Sequence, residues 1–432
     1  MVAATEVSAW RAWSVTGLCA SFMSINYADK VIVGLAAVPI MEDLHLSPSQ
    51  FGLLGSAFFL LYSLSAIGVS FIADRVASKW IIAALSLVWA LTLIPMSFEV
   101  GFATLLVSRI VLGAAEGPSI AIANHCIFKW FPNAERSLPS SVVSIGSSIG
   151  VLFSAPALAW LIKTYDWHVA FAVLAAVGLA WLPIWLLAAK EGPLSAAPIA
   201  GGEPERADVQ ALPLMRLLTQ RTFLGVLACA YVAFSVLALV VAWLPPFLIK
   251  SEHYSPTAAS WIVAAAWTIE AIAVVVVGWY SGKLAARGVS SRMSRGWITT
   301  GAVCLTGVAL AAMQFLPIGV IRVGVLVIAF SAAQTIWPLC FTLISEIVPN
   351  VRRGMAVSVF TAIFTTAGLV SPALMGYAVQ WGDTASGDGY ITGFVILGIA
   401  TLVGGLIGFW LIDPEADQVR ANGRAFAAVA AS

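Results

Sequence analysis

Charge is what this 432-residue chain has least of: only 10% of its residues are Asp, Glu, Lys or Arg, where a soluble domain carries about 25%. With 60% hydrophobic residues and a mean hydropathy of +0.96, that shortage excludes an ordinary water-soluble globule. A net charge of +1 leaves no electrostatic footprint for nucleic acid. The five cysteines (Cys19, Cys126, Cys229, Cys304, Cys340) are scattered through apolar segments without C-x-x-C spacing, so packed core thiols are expected rather than disulfides or a metal site. There is no Walker A loop, zinc motif or hydrolase-triad signature. No cofactor and no enzymatic centre are therefore expected. The N-terminus lacks the short apolar region and cleavage site of a signal peptide, so the first apolar segment is expected to remain as a span.

What is present is a series of apolar runs, at 11–38, 51–73, 80–98, 102–128, 138–162, 167–190, 222–249, 257–283, 294–316, 319–346, 353–380 and 389–412. Runs of about 20 apolar residues match a hydrocarbon core of about 30 Å, and their length fits helices rather than barrel strands. The expected fold is an all-α membrane protein with twelve transmembrane helices. One long polar stretch, 191–221, rich in Gly, Pro and charge, divides a six-helix N-terminal bundle (1–190) from a six-helix C-terminal bundle (222–432) with a short tail.

The loops on the side of both termini hold 17 of the 22 Lys and Arg; the opposite side has Lys163, Lys250 and Arg322, and the other two are Lys30 and Arg109. The positive-inside rule then places the termini and the linker in the cytoplasm of a multi-pass inner-membrane protein. A short repeat agrees with the midpoint. Trp130-Phe131-Pro132-Asn133-Ala134-Glu135-Arg136 and Ile347-Val348-Pro349-Asn350-Val351-Arg352-Arg353 share P-N-x-x-R at an offset of 217 residues. Parallel six-helix repeats place a substrate site at their interface near mid-membrane.

Four charges lie inside apolar segments: Asp29 and Lys30 in the first, Arg109 and Glu116 in the fourth. A mid-bilayer charge costs roughly 2.5–3.5 kcal/mol on insertion scales, so it is usually paired, cavity-facing and functional. Arg109 and Glu116 are two helical turns apart, about 10 Å along the axis, too far to pair with each other. Asp29 and Lys30 point about 100° apart, so pairing between the first and fourth helices meets all four demands. Asn26 lies one turn from Lys30 and extends the polar face. Pro118 lacks an N–H and weakens the helix just after Glu116. A buried carboxylate keeps its charge beside a cation and is driven to take up a proton when the cation leaves. Contacts made and broken with Lys30 or Arg109 would couple proton transfer at Asp29 and Glu116 to conformation. Sequence does not rank those two acids.

Specific residues narrow the field. Helix 1 reads Asn26-Tyr27-Ala28-Asp29-Lys30, followed by Leu46-Ser47-Pro48-Ser49-Gln50-Phe51-Gly52 and Gly55-Ser56-Ala57-Phe58. Helix 4 reads Arg109-Ile110-Val111-Leu112-Gly113-Ala114-Ala115-Glu116-Gly117-Pro118, then Trp130-Phe131-Pro132 with Glu135-Arg136; Trp243-Leu244-Pro245 follows in helix 7. This set resembles the anion:cation symporter family of the major facilitator superfamily, whose members carry sugar acids, phthalate and hydroxyphenylacetate. The resemblance covers most of the chain and is strongest over 26–137. It implies a monomer that takes up a small organic anion with protons by rocking of two bundles. Lys30 and Arg109 would hold the anion and Asp29 and Glu116 would carry the proton.

Departures from the family pattern bear on the ligand. Lys30 stands where the family has Arg; an ammonium keeps the charge but loses the planar fork that grips a carboxylate bidentately. The loop motif after helix 2 survives only in part, around Asp74 and Arg75. Thr361 and Thr365 occupy positions where the family often has Asn. Tyr62, Gln334, Thr361 and Thr365 are further candidate ligand contacts, competing with ordinary interhelical hydrogen bonds. Glu270 is a possible additional polar site in helix 8. Asp74, Arg75, Glu135 and Arg136 are candidate cytoplasmic gating residues, and Glu346 is expected to latch onto Arg353. The run Gly146-Ser-Ser-x-Gly150 is expected to allow close packing of helix 5, and Trp243, Trp267 or Trp337 offer an aromatic wall. Sugar acid and aromatic carboxylate both remain open as substrates. An anion exchanger, a proton-independent facilitator and, from another class, a membrane-embedded anion sensor are the alternatives; a sensor is expected to carry a cytoplasmic output domain, and none is read here.

Overall fold

The computed structural model describes residues 9–73, 75–132, 135–196, 218–348, 350–382 and 388–419. Among them there is no strand. Twelve helices are long and apolar enough to cross a membrane: α1 Ala9–Leu35, α2 Pro48–Ala73, α3 Ser78–Ser97, α4 Phe102–Phe128, α5 Ser137–Thr164, α6 Trp167–Ala188, α7 Arg221–Lys250, α8 Pro256–Ala286, α9 Arg292–Phe315, α10 Val320–Ile347, α11 Arg352–Trp381 and α12 Gly389–Leu411. They fall on the twelve apolar segments within a few residues. An all-helical solution follows from the solvent, because lipid offers no partner to a backbone N–H or C=O.

Local chemistry fixes several helix starts. Before α2, Ser47 Oγ accepts from Gln50 N at 3.3 Å while Gln50 Oε1 accepts from Ser47 N at 2.9 Å, and Pro48 opens the helix. That reciprocal pair satisfies two N–H groups the helix leaves unbonded. At α6, Asp166 Oδ1 accepts from Val169 N at 2.8 Å. Interior breaks are as informative. α4 is two helices, Phe102–Glu116 and Ser119–Phe128, separated at Gly117-Pro118. α10 breaks between Gln334 and Trp337, with Pro338 in the first turn of the second piece. Both fit the missing proline N–H. α2 unwinds into turns at Phe58–Leu61 without a proline, and α9 opens with a π-helical stretch at Arg292–Trp297.

The compact units are discontinuous in sequence. One comprises Met1–Pro198, Ala238–Thr268 and Gly368–Tyr390; the other comprises Ile199–Leu237, Ile269–Ala367 and Ile391–Ser432. In the first, α1 and α5 touch backbone to backbone: a Cβ on Gly146 would lie 2.3 Å from Ala20 O, and one on Gly150 2.4 Å from Ser24 O. Ser24 Oγ donates to Gly146 O at 2.7 Å across that seam. The expected close packing of helix 5 is thus realised against α1. In the same unit, α7 and α11 are tied to each other, to α2 and to the segment between α1 and α2. Trp243 Nε1 donates to Pro372 O at 3.0 Å, Ala373 N donates to Ser56 Oγ at 3.0 Å, and Lys250 pairs with Glu42 at 2.7 Å. The second unit ties α9 to α10 through Thr306 Oγ1, which donates to Ala329 O at 2.9 Å. All five cysteines are free thiols, and all but Cys304 are buried.

Candidate functional site

The site is built on α1 and α4. Glu116 closes the first half of α4 and is fully buried, and Lys30 Nζ lies 3.0 Å from its Oε2. Among the described residues this is the one ion pair whose acid has no solvent exposure. The contact is close but not aligned as a hydrogen bond, so both Glu116 oxygens lack an aligned donor. Lys30 also donates to Asn26 Oδ1, one turn earlier on α1. Asn26 Nδ2 reaches Ser119 Oγ at 3.5 Å, and Ser119 Oγ donates to Glu116 O at 2.6 Å. Ser119 therefore takes up a carbonyl left open by the break at Pro118. The expected cross-helix pairing is realised for Lys30 and Glu116.

Two ring faces complete the surroundings of the ammonium. Tyr27 lies 4.4 Å and Tyr62 5.8 Å from Nζ, within reach of cation–π attraction. The approach of α2 to α4 depends on missing side chains: a Cβ on Gly113 would sit 1.7 Å from Phe58 O, and one on Gly117 2.0 Å from Tyr62 O. Those contacts fall where α2 unwinds, which presents Phe58 and Tyr62 to α4.

Asp29 and Arg109 depart from the expected pairing. Neither forms an ion pair among the described residues. Arg109 is buried with its guanidinium 4.6 Å from the Phe58 ring centroid, and its Nε and Nη1 lack hydrogen-bond partners. Asp29 is buried with both oxygens unpartnered. It borders a small cavity walled by α1, α3 and α6, including Phe22, Ser86, Trp89 and Trp181. Trp89 Nε1 is likewise without a partner. The reason is the helix itself: a 100° step carries Asp29 away from the α4 face that Lys30 occupies.

The remaining candidates fall in several environments. Gln334, Thr361, Thr365 and Glu270 belong to the second unit. Gln334 Oε1 accepts from Trp337 Nε1 at 2.7 Å and its Nε2 donates to Ala233 O at 3.5 Å; Thr365 Oγ1 donates to Thr361 O at 2.7 Å. Glu270 is half-buried on α8. Asp74 lies outside the described residues, and Arg75 and Glu135 are exposed. Arg136 caps α4: its Nη2 donates to Phe128 O and its Nε to Phe131 O, both at 3.1 Å. Glu346 does not pair with Arg353. Its partners are Arg295 Nη1 and Ser291 Oγ at the start of α9, while Arg353 Nη2 donates to Ser345 O at 3.0 Å. Tyr27, Phe58, Trp89 and Ser119 also surround these charges, and the sequence marks most of them only weakly. Tyr27 carried a usable signal, since it sits three residues before Lys30 on one helix face.

A buried acid–base pair, a second buried acid and a second buried cation thus lie in one unit, and no metal-ligand set is found among the described residues. The sequence profile of the Major Facilitator Superfamily matches residues 18–336 and 288–430. The hexuronate transporter of Bacillus subtilis (strain 168) is 27% identical over 399 residues, covering 89% of this chain and 93% of that protein. The D-galactonate transporter of Escherichia coli O6:H1 is 23% identical over 405 residues, covering 88% and 91%. Among solved structures, a bacterial homologue of the human lysosomal transporter Spinster, inward-facing and unoccupied, superposes with a TM-score of 0.77 at 20% identity, covering 96% of this chain and 99% of that one.

Proposed function

Because the chain belongs to the Major Facilitator Superfamily, a family of transporters and not of enzymes, we propose that it moves a small organic anion together with protons by alternating access. The reading is secondary active uptake across the inner membrane, by a monomer with both termini in the cytoplasm and two six-helix halves, 1–190 and 222–432, joined by 191–221. Lys30 and Arg109 offer positive charge to the anion. Glu116 and Asp29 offer proton sites.

The Lys30–Glu116 contact carries this reading. A fully buried carboxylate whose ion-pair partner is one lysine loses most of its compensation once that lysine turns to another anion, and protonation is the cheapest relief. Substrate arrival and proton uptake then become one event. Entry of net positive charge would add about 2.3 kcal/mol per charge per 100 mV of membrane potential.

The test is uptake into proteoliposomes of a panel of labelled organic acids under an imposed pH gradient. The wild-type protein should accumulate at least one acid above its external concentration. Glu116→Gln should lose that accumulation and keep exchange of internal for external substrate. Undiminished uphill uptake by Glu116→Gln would reject the role. Exchange without any pH-driven accumulation by the wild type would instead favour an anion exchanger.

A further inference from the structure

We infer that the C-terminal end of α8 binds the phosphate of an anionic phospholipid, at Lys283 and Arg287. Such binding follows from the membrane fold alone and does not depend on what is transported.

The two halves of the chain repeat each other here at an offset of 208 residues. His45-Leu46-Ser47-Pro48 at the start of α2 returns as His253-Tyr254-Ser255-Pro256 at the start of α8. Both histidines have positive φ, 51° and 57°, and both serines accept from a backbone N–H in the first turn of the helix that follows. The same offset carries Phe71-Ile72-Ala73-Asp74-Arg75 onto Trp279-Tyr280-Ser281-Gly282-Lys283, and Lys79 onto Arg287. Both cations recur; the acid does not. Gly282 stands where Asp74 places a negative charge next to Arg75 in sequence, so the second pair of cations has lost its local counter-charge.

The rest of the protein does not replace it. Neither Lys283 nor Arg287 forms an ion pair among the described residues. Other basic residues of the second unit are engaged: Arg292 with Asp413, Arg295 with Glu346, and Arg353 with Ser345 O. Lys79, the counterpart of Arg287, donates from Nζ to Leu186 O at 2.6 Å. Lys283 Nζ instead lies over the Trp279 ring, 4.8 Å from its centroid, and both Lys283 and Arg287 are exposed.

The surface leading to these cations selects the anion. Ile272, Val276, Trp279 and Tyr280 are exposed on α8, spaced so that they share one face with Lys283. Arg287 lies one residue past the helix end. Along the axis this face runs aliphatic, then aromatic, then cationic. A phospholipid presents acyl chain, interface and phosphate in the same order. Ile272 to Lys283 spans about 17 Å of helix, close to the roughly 15 Å of hydrocarbon in one leaflet. A soluble anion would meet the two cations and leave that apolar approach unused.

The test is native mass spectrometry of the full-length protein in nonionic detergent, titrated with phosphatidylglycerol and with phosphatidylethanolamine of identical acyl chains. The first phosphatidylglycerol should bind about tenfold or more tighter than the first phosphatidylethanolamine, since each Lys or Arg contributes about fivefold toward anionic lipid. Lys283→Gln/Arg287→Gln should lower phosphatidylglycerol affinity about tenfold or more and leave phosphatidylethanolamine unchanged. The charge-keeping Lys283→Arg/Arg287→Lys should retain the preference, as should Lys163→Gln at an exposed cation elsewhere. Equal binding of the two lipids by the wild type, or an undiminished preference in a monodisperse Gln double variant, would overturn the inference. Displacement of phosphatidylglycerol by inorganic phosphate would give the cations to a soluble anion, and a dimer that the Gln double variant dissolves would give the face to a second copy; either would overturn it too.

Discussion

Asp29 and Lys30 are consecutive on α1, yet they face different surroundings. Lys30 reaches Glu116 on α4 at 3.0 Å, whereas both oxygens of Asp29 stand unpartnered beside a cavity walled by α3 and α6. One helix therefore delivers a paired ammonium to one neighbour and an unpartnered carboxyl group to others, and the two should respond differently to substitution.

Removing one partner of a buried ion pair costs about 3–5 kcal/mol because the other charge is stranded. Lys30→Met should lower the melting temperature of the detergent-solubilised protein clearly and abolish uptake. The double variant Lys30→Met/Glu116→Leu should recover most of the thermal stability and none of the transport. Recovery of both would mean that the pair only fixes helix register.

Asp29→Asn removes an ionisable group without breaking a hydrogen bond, since neither oxygen has one. Its melting temperature should equal or exceed that of the wild type, while pH-driven accumulation falls. A drop as large as that of Lys30→Met would show that Asp29 is held by a partner after all.

The α2–α4 contact tolerates no side chain at Gly113, where a Cβ would meet Phe58 O at 1.7 Å. Backbone cannot yield as a flexible side chain can, so Gly113→Val should destabilise by about 1–3 kcal/mol or more. Thermal melting of the purified variant measures it. Gly301→Val, at a glycine with nothing within 4 Å, serves as the control and should leave the melting temperature nearly unchanged.

Arg136 and Arg353 stand 217 positions apart, and each donates from Nη2 to a carbonyl eight residues earlier, at 3.1 and 3.0 Å. Phe128 and Ser345, the two acceptors, are also 217 apart. A hydrogen bond to a charged donor is worth about 1.5–3 kcal/mol, less where water can substitute. Arg136→Gln and Arg353→Gln should each lower the melting temperature by a few degrees. Arg136 should matter more, because it holds a second carbonyl and packs 4.9 Å from the Phe128 ring.

The P-N-x-x-R repeat was legible because capping is local: the arginine, the proline and the carbonyls lie within eight residues on the chain. Helix number, the break at Pro118 and the Asn26–Lys30 contact were legible for the same reason. The partner of Glu346 was not. Arg353 is nearer in sequence, but its guanidinium is turned back on Ser345, and Glu346 meets Arg295 across more than 50 positions. Likewise Arg109, expected opposite an acid, rests on the Phe58 ring, which lies in the unwound stretch of α2.

By itself the sequence determined that this chain lies in lipid as twelve helices and that four ionisable side chains lie within two of them. Apolar runs of sufficient length have no other way to satisfy their backbone in hydrocarbon. Only the tertiary structure decided which charge meets which, because rotation and spacing of neighbouring helices depend on contacts between residues far apart in the chain, such as Gly113 on Phe58. That packing gave Lys30 to Glu116 and left Asp29 facing a cavity of its own.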